Sequence, residues 1–67
     1  MEKQLRELFG EYMAEYTESK DGKQVRFYVD ADTLVFGELK WLVDVFEPLS
    51  VTHSDDVGFY IVGTLEN

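Results

Sequence analysis

The sequence predicts an α+β fold: an N-terminal helix, then a split β-α-β-β core whose three strands form an antiparallel sheet in order 1-3-2, with the helices on one face. Three observations carry this expectation. Apolar residues near the start recur at helical spacing, a second apolar stretch runs up to the single proline, and three further segments have strand length and strand patterning. With 67 residues, the chain has room for one small domain, residues 1–67, and a thin core. A 45% hydrophobic and 15% aromatic content sets it apart from a disordered acidic tail.

Leu5, Leu8, Phe9, Tyr12, Met13 and Tyr16 follow i, i+3, i+4 spacing, which predicts a helix over about residues 2–18. Gly10 allows a second reading. A shorter helix would end there and Tyr12–Ser19 would be a strand leading into an Asp21-Gly22 hairpin turn. The six apolar positions fit the helical period better than alternation, so the long helix is preferred. Gln24–Asp30 reads as a half-buried strand, with Val25, Phe27 and Val29 on one side and Arg26 and Tyr28 on the other.

Asp30-Ala31-Asp32-Thr33 offers capping side chains for a helix from about Thr33 to Phe46, stopped by Pro48. Asp32 is the expected cap, although Thr33–Gly37 also suits a short return strand. Leu49–His53 and Gly58–Leu65 read as an antiparallel pair joined by the polar loop Ser54–Val57. Phe59-Tyr60-Ile61-Val62 is apolar on both faces, which marks the last strand as the central one.

Fourteen acidic residues against six basic ones give a net charge of −8. Direct binding to nucleic-acid phosphates is disfavoured, because it needs clustered Lys and Arg; basic or apolar protein surfaces are the natural partners. The chain has no cysteine, so no disulfide, thiolate metal site or cysteine nucleophile can form. The first residues lack the apolar core of a secretory signal and no run is long enough to span a membrane, so a cytoplasmic protein is expected.

On the long helix Glu7, Glu11, Glu15 and Glu18 fall within an arc of roughly 80°, opposite the apolar stripe. Neighbouring members of such a row lie about 6 Å apart along the axis, near the spacing of phosphates on one nucleic-acid strand. Like charges at i, i+4 cost helix stability, so the row suggests a purpose: filling a basic groove built for nucleic acid. Small phage-encoded inhibitors of nucleic-acid enzymes are similar in size and acidity, although no motif here assigns the chain to any of them. A solvated face in a salt-adapted proteome accounts for the same glutamates without a partner.

The second helix carries the other signal. Its polar residues Gly37, Lys40, Asp44 and Glu47 fill only about 80° of the wheel. With Val35, Leu39, Leu42, Val43 and Phe46 assigned to the sheet, Leu34, Trp41 and Val45 group around Glu38 on an apolar flank. That flank is either covered by the first helix or used for a partner or homodimer contact, with Trp41 as anchor. The outer sheet face should align Arg26, Tyr28, Thr52, Tyr60, Val62 and Thr64.

Catalytic constellations are poor. His53-Ser54-Asp55-Asp56 has the residue types of a hydrolytic triad, but neighbours on one tight loop cannot aim at one another as a triad must. No metal site, cofactor or enzyme activity is expected. The sequence reading is a binding module: an inhibitor or adaptor of phage or mobile-element type that acts as a DNA mimic, or alternatively a homodimeric assembly subunit held by the Trp41 flank.

Overall fold

The computed structural model describes residues 1–65. Leu5 and Phe9, four positions apart, are buried on the inner side of helix α1 (Glu2–Phe9), whose outer side carries an Arg6–Glu2 ion pair at 2.8 Å. The helix stops at Gly10, which has φ 61°, a backbone state that glycine adopts without the penalty a Cβ would bring. The predicted helix over 2–18 is therefore corrected. A single 3₁₀ turn, Gly10–Tyr12, leads into strand β1 (Met13–Glu18), so the shorter helix with a following strand is the one that forms.

Four strands build one antiparallel sheet in the order β1-β2-β4-β3, where β2 is Gln24–Val29, β3 is Phe46–His53 and β4 is Phe59–Leu65. This replaces the predicted three strands in order 1-3-2, because β1 adds a strand outside β2. The predicted central position of the last strand holds: β4 lies between β2 and β3 and buries Ile61 completely. β1 and β2 are joined through Ser19–Lys23, a loop closed by the Ser19 N–H to Gln24 oxygen bond at 2.9 Å. Within it Asp21 accepts from the Ser19 hydroxyl and the Lys23 N–H, which holds its carboxyl below the usual range.

Helix α2 (Phe36–Val45) is shorter than the predicted Thr33–Phe46. Asp32 is not its cap. Instead the Glu38 carboxylate reaches back to accept the Val35 N–H at 3.1 Å, satisfying one of the donors that a helix start leaves open. Val45 ends the helix and Phe46 begins β3 with no intervening loop, so that strand starts three residues before the predicted Leu49. Pro48 sits inside β3, at the register shift between Phe46 and Leu49, a position an edge strand tolerates.

Both helices cover one face of the sheet. Leu5 and Phe9 of α1 and Leu42 of α2 meet Val25, Phe27, Val29, Phe46 and Ile61 in a single core. Phe46 lies over Gly63 of β4, where an added Cβ would stand 2.5 Å from the ring. Among the described residues no polar or charged side chain is buried, and no helix is long and apolar enough to cross a membrane.

Candidate protein-binding surface

The four glutamates of the expected row are dispersed. Glu7 lies on α1 and Glu11 in the 3₁₀ turn, both exposed. Glu15 and Glu18 belong to β1, separated by a bulge between Ala14 and Thr17 in which Glu15 takes φ 55°. Glu18 pairs with Val25 and so stands on the helix-bearing side, lining a groove of about 720 Å³ with Glu2, Lys3, Arg6, Glu7 and Tyr16. Glu15 instead borders the hollow over Tyr28 and Tyr60 on the open side. The chain turn at Gly10 and the bulge thus put the carboxylates on opposite faces of the sheet. A straight row does not exist, and Lys3 and Arg6 mix positive charge into the groove that Glu7 and Glu18 share.

Glu18 also has a partner within the chain. It accepts the Tyr16 hydroxyl at 2.7 Å. Burial of the Tyr16 ring against the core, then the Glu18 carboxylate, push the tyrosine pKa up to about 12.

The Trp41 flank is half-buried. Leu34, Trp41 and Val45 pack against the core, the indole standing edge-on to Phe46 at 6.4 Å between ring centres. Trp41 and Gln4, Glu7 and Leu8 of α1 line a shallow open hollow between the two helices. Glu38, which was to sit amid the flank, is engaged in capping. Leu34, Glu38, Trp41 and Val45 are thus half-buried, each keeping part of its surface open to solvent.

The apolar side chains left outside are different ones. Phe36 is 80% exposed, Val35 58% and Val43 62%. Phe36 and Val43, seven residues apart, share one side of α2, roughly 140–160° around the helix from Trp41 and therefore away from α1. Between them lies Lys40, paired with Asp44 at 3.2 Å. The sequence reading turned Val35 and Val43 toward the sheet. An i, i+7 pair of large apolar residues flanking Lys40 was the available signal for the exposed stripe.

On the open sheet face the expected neighbours do line up. Tyr28 is opposite Tyr60, Arg26 opposite Val62 and Thr52 opposite Tyr60, with the two tyrosine rings 4.8 Å apart. The Tyr28 hydroxyl donates to the Val57 carbonyl oxygen of the β3–β4 loop, so this ring braces the hairpin. His53 stands edge-on to Phe59 at 5.0 Å, an aromatic contact across the two strands. Among the described residues no three of His, Cys, Asp and Glu come together as metal ligands would. Compared with protein-family models, curated proteins and solved structures, the chain matches none.

Proposed function

We propose that the chain is a non-catalytic cytoplasmic binding module that engages a protein partner through the outer side of α2. The observation that supports this is Phe36, 80% exposed beside Val35 and Val43 where the described residues include nine buried hydrophobic ones. Burying such a side chain stabilises a fold by roughly 1.5–3 kcal/mol, and domains of this size have few kcal/mol to spare. A stripe that forgoes this gain on its own account is suited to another protein's apolar surface. Imitation of a phosphate strand is not part of this reading, since Glu15 and Glu18 stand on opposite faces.

The test compares affinity capture by the native chain, Phe36→Asp and the triple variant Glu7→Gln/Glu11→Gln/Glu15→Gln, read by mass spectrometry. A partner retained by the triple variant and lost with Phe36→Asp supports the α2 surface. The reverse pattern overturns it and returns the carboxylates to the centre of the function. Circular dichroism of Phe36→Asp should match the native chain, because this residue contributes little burial.

A further inference from the structure

We infer that α2's outer side serves an interface between two copies of this chain, in which β3 of one copy pairs antiparallel with β3 of the other across a two-fold axis at Val51. This rests on the reading of α2 as a contact surface and names its occupant.

The backbone supplies the first argument. β3 is an outermost strand, so one of its edges carries unpaired N–H and C=O groups. The Ser54 N–H bonds the Gly58 oxygen at 3.0 Å, pointing toward β4. Alternation then turns the amides of Ser50 and Thr52 inward and those of Leu49, Val51 and His53 out to the free edge. These outward groups are in phase with themselves. With Val51 opposite Val51 of the second copy, Leu49 falls opposite His53, and each pair can exchange both of its bonds. Pro48, which has no N–H, bounds this register at one end and the Ser54 turn at the other.

Charge supplies the second argument. In a chain of net charge −8 most self-contacts bring like charges together, yet Pro48–Ser54 holds no Asp, Glu, Lys or Arg. The other edge strand, β1, carries Glu15 and Glu18 and a bulge. β3 is thus the less acidic edge, with carboxylates of the two copies, Glu47 and Asp55, approaching only at the ends of the paired segment.

Area supplies the third. Val51 lies opposite the buried Ile61, so its side chain is on the helix-bearing side, and it remains 38% exposed. Phe36 and Val43 lie on the side of α2 turned away from Trp41, and α2 itself packs beside β3. Together with Val35 these side chains offer on the order of 400 Å² of apolar surface, about half of what each partner buries in a stable association. Pairing of five residues along the strand supplies the remainder.

The test is sedimentation of the purified chain from micromolar to millimolar concentration, at low and high NaCl. A monomer–dimer equilibrium that tightens with salt is expected, since screening weakens repulsion between two acidic bodies. Val51→Glu, which sets two carboxylates face to face at the axis, should weaken it about tenfold or more while leaving circular dichroism unchanged. Val51→Pro removes an outward amide without touching the β4 ladder and should do the same, whereas Thr17→Glu on β1 should have no effect. A chain that stays monomeric in every condition, or a dimer indifferent to both Val51 variants, overturns the pairing. In the first case a heterologous partner lost with Phe36→Asp would still uphold the α2 reading. A dimer broken by the Val51 variants but unmoved by Phe36→Asp would uphold the strand pairing and remove α2 from it.

Discussion

The two edges of the sheet are built differently. β1 carries two glutamates, a bulge and a residue held at positive φ, all of which discourage another strand from pairing with it. β3 has a proline near its start and beyond it five residues with no Asp, Glu, Lys or Arg, in a regular register with β4 from Leu49 to His53. The difference teaches that acidity in this chain is not evenly spread. It lies along β1, where the N-terminal hairpin would otherwise be sticky, and is absent from Leu49–His53 at the opposite edge.

The comparison can be broken most severely at the root of β3. Phe46, 2% exposed, fills the space over Gly63. Phe46→Ala should cost about 3–5 kcal/mol, the range for deleting a buried ring, and leave the chain largely unfolded in thermal melts. Survival of a native-like melt would mean that β3 is held by its ladder alone. At the other edge a gain is expected. Glu15→Asn places a residue tolerant of left-handed backbone at φ 55°, and urea denaturation should show an increase of about 0.5–1 kcal/mol.

The smallest effect concerns pH. Tyr16 is raised to about 12 in the folded chain, above its ordinary 10.0, so its protonated form is favoured by folding. That contribution is complete below pH 10 and is lost as the pH climbs toward 12. Thermal midpoints of the native chain should therefore fall more steeply across this window than those of Tyr16→Phe. Parallel curves would show that the Glu18 contact contributes nothing to β1.

Much of this architecture was legible in the residues. The alternation of Val25, Phe27 and Val29 and the two-sided apolar run Phe59–Val62 located β2 and the central β4, and Leu42 was assigned inward and is buried. The N-terminal third misled for a physical reason. The bulge brings Met13 and Tyr16 to the same side of β1 at a spacing of three, which is also the spacing of a helix. A strand with one inserted residue thus continues the helical stripe of Leu5, Leu8 and Phe9 without a break in pattern. Only Gly10 signalled the change. The Trp41 flank misled because α2 is apolar around most of its circumference. Which side turns inward is seen only in the fold, where Leu42 is buried against the sheet and Trp41 is half-buried beside the core, a long-range arrangement that no local pattern contains.

The direct passage from Val45 to Phe46 makes α2 and β3 a single lever. No slack residue separates the helix axis from the strand, so a turn of α2 cannot be absorbed before it reaches the Phe46–Gly63 contact. Amide hydrogens of α2 and the inward amides of β3 should accordingly exchange as one cooperative unit, and a molecule gripping Phe36 would slow exchange at Thr52 without touching it.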